Sequence, residues 1–151
     1  MRGRTVVAVA MGALILVPLG LAGTRRAPSC GLVTTAAAKA ALGIPIVSDQ
    51  KVTAPGNPGL TLCWYGTAAN PQAVQLAFRA SGAAQFAHDQ KVASVYAKNV
   101  AGLGGKAFYN SAGGPTHTSL YVLKGKVEVT ILAFAPLAKT ETFARKVVAG
   151  L

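Results

Sequence analysis

Residues 118–134, TSLYVLKGKVEVTILAF, constrain the fold more than any other stretch of the chain. In their second half Val127, Val129, Ile131 and Ala133 share one parity, and Glu128, Thr130, Leu132 and Phe134 share the other. Successive side chains of a strand point to opposite faces, so this period-2 pattern with β-branched enrichment specifies a half-buried strand rather than a helix. Lys124-Gly125 sits between two such runs, and Gly takes the positive φ of a tight hairpin turn at no steric cost. A β-hairpin follows, with its wholly apolar parity facing a core. Leu132 and Phe134 are left on the outer parity, where either the C-terminal helix covers them or they line a cleft.

The flanking segments supply what must pack on this hairpin. Thr34 or Thr35 can cap a short helix through residues 36–42, stopped by Gly43 and Pro45, with Leu32, Ala36 and Leu42 toward the core. Residues 44–58 read as an irregular connection with a short edge strand at Ile46-Val47. LTLCWY at 60–65 and QAVQLAFR at 72–79 are strand runs joined by a turn. Ser81 caps a helix from about residue 82 to 93, with Phe86, Gln90 and Ala93 on one side and His88, Asp89 and Lys91 more exposed. Residues 92–100 either extend that helix or begin a strand. A turn at 100–105 leads into a short strand, KAFYN, at 106–110. Pro136 suits the first position of a C-terminal helix whose stripe holds Leu137, Ala144, Val147, Val148 and Leu151. The sum is an α+β domain: an antiparallel sheet of about five strands with helices packed on it, as a two-layer or open sandwich.

Residues 1–23 have the layout of a secretory signal peptide: basic Arg2 and Arg4, an apolar run, then small residues at Ala22 and Gly23. An uncleaved membrane anchor is the alternative, because the run is near spanning length and Arg25-Arg26 follow it. Thr24 stands where a lipobox needs its acylated Cys, so the chain is not expected to be a lipoprotein. Residues 24–29 read as a disordered leader, and 30–151 as a single exported domain. In an exported chain Cys30 and Cys63 are most simply a disulfide.

Fifteen Lys and Arg against four Asp and Glu give a net charge of +11, which points to anionic partners. Arg79, Lys91, Lys98 and Lys106 are the candidate anion contacts, and an anionic envelope polymer or lipid is the candidate partner. Nucleic acid is not expected, because stacking residues do not interleave with the charge and the chain reads as exported. Trp64 and Tyr65 read as packing against the disulfide, and Phe86 and Tyr96 as core between helix and sheet.

Catalysis needs a base or nucleophile held by a partner, and the sequence offers no such set. Asp49, Asp89, Glu128 and Glu141 are scattered over four elements, and His88-Asp89 are adjacent on a helix, so they diverge by about 100°. His117 has hydroxyls beside it at Thr116, Thr118 and Ser119, but no acid near in sequence. The GLGGK run at 102–106 lacks the Gly six positions before its Lys and the Ser or Thr after it, so it reads as a tight turn and not a phosphate loop. No catalytic, metal or cofactor residues are expected.

The order of features resembles a group of small exported actinobacterial proteins and lipoproteins that share a domain of unknown function. The resemblance is carried by Cys30; by Leu32 and Thr34 with Ala41-Leu42-Gly43; by Cys63 with Trp64 and Tyr65; by Gly102-Leu103-Gly104 before Ala107-Phe108-Tyr109; and by the closing hairpin and helix. Gly105 departs from the Asp that often follows Gly-Leu-Gly in that group, and the lipidated Cys of many members is missing. The resemblance implies an envelope-associated, non-enzymatic domain and supplies no catalytic residues. The expected function is therefore an extracytoplasmic binding domain whose basic surface meets anionic envelope components. A lipid or small-hydrophobe carrier with an apolar cleft between sheet and helices is the first alternative, and a small secreted hydrolase the second.

Overall fold

The computed structural model describes residues 28–57 and 59–151. The signal peptide read at 1–23, and the leader up to residue 27, lie outside the described residues. In chain order come a 3₁₀ turn (Cys30–Leu32), α1 (Thr35–Leu42), β1 (Ser48–Val52), β2 (Leu60–Gly66), β3 (Val74–Arg79) and α2 (Ala83–Val92). β4 (Ala97–Asn99), β5 (Lys106–Asn110), a second 3₁₀ turn (Ser111–Gly113), β6 (Thr118–Lys124), β7 (Val127–Ala133) and α3 (Leu137–Ala149) complete it. All seven strands form one antiparallel sheet in the order β1-β2-β3-β7-β6-β5-β4.

The expected hairpin is β6–β7, and β7 occupies the middle of the sheet because its free edge pairs with β3. Lys124 pairs with Val127, so the turn residues are Gly125 and Lys126, with Gly125 at φ 60°. Seven strands replace the expected five. β1 lies in the stretch read as irregular: its residues SDQKV are exposed on both faces at the sheet edge, so burial imposes no alternation on them. β4, only three residues long at the opposite edge, decides the open stretch 92–100 in favour of a turn followed by a strand.

Every residue directly opposite another across the sheet shares its face, so two faces can be read from the register. The inner face carries Cys63, Tyr65, Val74, Leu76, Phe78, Val129, Ile131, Leu120 and Val122, all buried. Phe143, Ala144, Val147 and Val148 of α3 close over it, and the Phe143 ring meets Tyr65 edge-on at 5.5 Å. Thr140 is buried in the same helix although polar, because its hydroxyl donates to the Pro136 carbonyl at 3.2 Å. Pro136 itself is the N-cap, one position earlier than expected.

Cys30 and Cys63 form the disulfide, with Cα atoms 5.4 Å apart, fastening the turn before α1 to β2. The Tyr65 hydroxyl lies beside this join and donates to the carbonyls of Val33 (2.9 Å) and Cys30 (3.2 Å). The Thr34 hydroxyl caps α1 by accepting from the Ala37 N–H, and Gly43 at φ 70° ends it. Within α1 the buried residues are Ala38, Ala41 and Leu42, while Ala36 faces solvent. Ala36 is six residues from Leu42, about 120° away around the helix, so the two cannot share one buried stripe.

The helices do not form one layer. α2 lies on the outer face, where its Phe86 meets the Phe108 ring at 5.2 Å and Phe108 stacks on Tyr121 at 4.6 Å. Phe108 and Tyr121 have the parity opposite to the core row, so α2 sits across the sheet from α1 and α3. Ser81 does not cap it; Gly82 is its N-cap and makes no side-chain bond there. Trp64 also lies on the outer face, half-buried, opposite to Cys63 and Tyr65, so of that pair only Tyr65 bonds to the disulfide's own backbone, at the Cys30 carbonyl.

Candidate functional site

The outer face divides into a part beneath α2 and an open part. Beneath α2 lies a cluster of polar groups that sequence spacing did not bring together. Glu128 of β7 is 1% exposed, and its Oε2 accepts from Arg79 Nη1 of β3 at 3.2 Å. Its Oε1 has no hydrogen-bond partner among the described residues. The Asp89 carboxyl of α2, which accepts from Gln85 Nε2 at 2.7 Å, lies close enough to Glu128 to act on its carboxyl. The acids read as scattered thus include one facing pair. Nothing in local sequence signals it, because Asp89 and Glu128 are far apart in the chain and meet only through the antiparallel wrap of β3 onto β7.

Burial pushes the Glu128 carboxyl above the usual carboxylate range; the Arg79 hydrogen bond pulls it back, and Asp89 pushes it further up. The Tyr121 phenol is raised too, first by burial and then by Asp89 and Glu128. The cluster lies where α2 meets the outer face of β3 and β7. Gly82 seals one end: its N–H donates to the Lys126 carbonyl at 2.9 Å, and a Cβ there would fall 2.8 Å from the Glu128 nitrogen.

The open part is a row across four strands, Trp64, Gln75, Leu132 and Ser119. Leu132 (38% exposed) and Phe134 (51%) are not covered by α3, which is on the other face. They line a groove of about 250 Å³ with Gln72, Gln75, His117 and Ser119. The His117 ring meets Phe134 at 4.5 Å, and its Nδ1 is 3.0 Å from the Thr116 hydroxyl. The inner face, by contrast, is filled by side chains of α1 and α3.

Of the four candidate anion contacts, Arg79 is engaged by Glu128. Lys91 on α2, Lys98 on β4 and Lys106 on β5 are exposed, and they lie along the half of the molecule formed by α2 and the β4–β5 edge. Lys106 borders a groove of about 310 Å³ with Phe86, Gln90, Asn99 and Val100. Tyr96 is 53% exposed rather than part of the core, because it belongs to the turn between α2 and β4. In the Gly-Leu-Gly turn Gly102 and Gly104 take φ 78° and 71° while Leu103 is buried, which anchors the loop as a tight turn. Lys124 lies beside it and donates to the Val148 carbonyl at the end of α3 (2.6 Å).

No protein-family model matches the chain, and no curated protein is similar to it in sequence.

Proposed function

We propose that this chain is an extracytoplasmic, non-enzymatic binding domain of the bacterial cell envelope that engages anionic envelope components through its basic surface. One observation carries the reading. The described residues hold eleven of the fifteen basic side chains and all four acids, a net of +7, and every acid is engaged locally. Glu128 pairs with Arg79 and Glu141 with Arg145, Asp49 accepts from Thr35, and Asp89 accepts from Gln85. Lys39, Lys51, Lys91, Lys98, Lys126 and Lys146 are exposed and outside any ion pair among the described residues. A surface with cations in excess of its acids attracts polyanions and acidic headgroups. The disulfide suits an oxidising compartment, and none of the described helices is long and apolar enough to cross a membrane.

The test is sedimentation with phosphatidylglycerol vesicles, phosphatidylcholine vesicles and anionic cell-wall polymer at low ionic strength. The reading expects more protein on the anionic material than on phosphatidylcholine, with the excess lost in high salt. Equal partition onto both lipids together with no retention by the polymer would overturn it.

A second reading is a small-hydrophobe binding protein, favoured by the exposed Leu132 and Phe134 in their groove. At about 250 Å³ the groove lies just below the usual range for small-molecule pockets, about 300–1,000 Å³, so it would hold only part of a ligand. Native mass spectrometry of freshly purified protein tests it: a co-purified hydrophobe lost on Phe134→Ser supports it, and the bare chain mass opposes it.

A further inference from the structure

The end of α2 and the turn from it to β4 leave three large apolar residues exposed within five positions: Val92 is 72% exposed, Val95 84% and Tyr96 53%. Exposed apolar residues scattered singly are ordinary. These three instead occupy one five-residue corner whose backbone is pinned. Tyr96 and Ala97 donate their N–H groups to the Ala93 carbonyl (2.8 and 2.7 Å), and both the N–H and the hydroxyl of Ser111 donate to the Tyr96 carbonyl (3.0 and 2.9 Å). The side chains are therefore held outward by a fixed turn.

The charges beside the corner have one sign. Lys91 precedes it on the last turn of α2 and Lys98 follows it on β4, both exposed, and His88 stands one helical turn before Val92. The nearest acid in sequence, Asp89, points instead toward Gln85 and Glu128 beneath the helix.

We infer that Val92, Val95 and Tyr96 form a membrane-inserting tip, which enters an anionic bilayer while Lys91 and Lys98 contact lipid phosphates. This rests on the proposal of an anionic envelope partner and names the bilayer as that partner. Both chemistries of the corner are needed to choose the occupant. An envelope polyanion would satisfy the lysines but leave the valines in water. A second copy of the chain would cover the valines, but a two-fold contact sets the same patch against itself and brings lysine toward lysine. An acidic bilayer satisfies both: acyl chains take the valines, the headgroup layer takes the tyrosine, and the phosphates take the ammonium groups. The lysine stems are long enough to reach outward while the tip goes in.

The test places a fluorophore at the tip of the full-length chain. Trp64→Phe removes the only native indole, on the outer face of β2, and Tyr96→Trp supplies one at the corner. With phosphatidylglycerol vesicles carrying brominated acyl chains, the emission of this variant shifts to the blue and is quenched. The same bromolipid vesicles leave native Trp64 in the parent chain unquenched. Adding Val95→Asp reduces partitioning of the corner by about tenfold or more, the effect of losing a buried apolar side chain and gaining a repelled charge. Lys91→Gln with Lys98→Gln lowers it on anionic vesicles only. If the protein sediments with phosphatidylglycerol vesicles while the corner indole stays unquenched, the tip is refuted and the anionic-partner reading stands. If the protein shows no preference for phosphatidylglycerol and none for anionic polymer, both fall. Self-association of the free chain that Val95→Asp abolishes, with no quenching, would assign the corner to a dimer and overturn the bilayer assignment.

Discussion

Arg79→Met should cost far more stability near neutral pH than in acid, because it leaves the Glu128 carboxyl buried without its cation. Glu128 is 1% exposed and the Arg79 side chain 29%, so the pair is closed on one side and partly solvated on the other. Stripping the partner from a buried ion pair costs about 3–5 kcal/mol, and the partial exposure of Arg79 places this case near the lower end, about 3 kcal/mol. For a domain of this size that is a fall in Tm of about 10 °C. The pH dependence has a definite sign. The folded-state pKa of Glu128 is raised above its ordinary value of 4.5 in the native chain. Removing Arg79 deletes the hydrogen bond that lowers it, so it rises further. A carboxyl raised in the fold gives stability that is fully present below the unfolded value and lost as pH climbs through the folded one.

The deficit of Arg79→Met relative to the native chain should therefore shrink toward about pH 4, where the folded state keeps a proton that the unfolded state has begun to release. Urea melts of both proteins at each pH measure it, and taking differences cancels the general effect of the high positive charge. Adding Glu128→Gln should return most of the loss at neutral pH. A deficit below about 0.5 kcal/mol at neutral pH, or the same deficit at both pH values, refutes the account of the cluster.

Replacing both cysteines, Cys30→Ser with Cys63→Ser, opens a loop with a sequence separation of 33. The loop-closure entropy puts the loss at about 3–4 kcal/mol, read by urea melts beside the native chain with and without reductant. Gly82→Ala should be among the most damaging single substitutions, about 2–3 kcal/mol or more by thermal melting, since the added methyl meets Glu128 backbone that cannot move away. Burial, aided by Asp49, pushes the Tyr65 phenol up to about 12. Its contribution to stability is present below the ordinary value of 10.0 and lost as pH rises toward 12, so Tyr65→Phe should flatten the alkaline limb of a stability–pH curve while costing about 1 kcal/mol at neutral pH. Leu132→Ser with Phe134→Ser should change the melting midpoint little, within about 0.5 kcal/mol each, because neither side chain is in the core.

The parts of this fold legible in sequence are those where burial on one face writes a period. β3 and β7 alternate because the inner row Leu76–Ile131 is fully covered while the outer row is covered by α2 only at one end, and the hairpin turn shows through Gly125. β1 leaves no period, and residues 92–100 around β4 stay undecided between helix and strand, because an edge strand exposed on both faces is held by backbone hydrogen bonds, which do not select side chains. The placement of α2 opposite α1 and α3 is likewise silent, since an amphipathic helix does not state which face of a sheet it will cover. The basic candidates Lys91, Lys98 and Lys106 could be named from composition. Local spacing does not settle Tyr96 or Asp89: the helix ends at Val92 and leaves Tyr96 exposed in the following turn, and Asp89, within the expected helix, is half-buried beside Gln85.

The central claim is that uncompensated cations bind an anionic envelope surface, and a binding isotherm in two salt concentrations tests it most directly. Phosphatidylglycerol vesicles are titrated with the native chain and with Lys91→Glu/Lys98→Glu/Lys106→Glu, in buffer of about 0.01 M ionic strength, where the screening length is about 30 Å, and at about 1 M, where it is about 3 Å. The account predicts tight binding of the native chain only at low salt, and a clear loss of affinity in the triple variant at that salt alone. Native binding that is unchanged between the two salts, and matched by the triple variant in both, would contradict it.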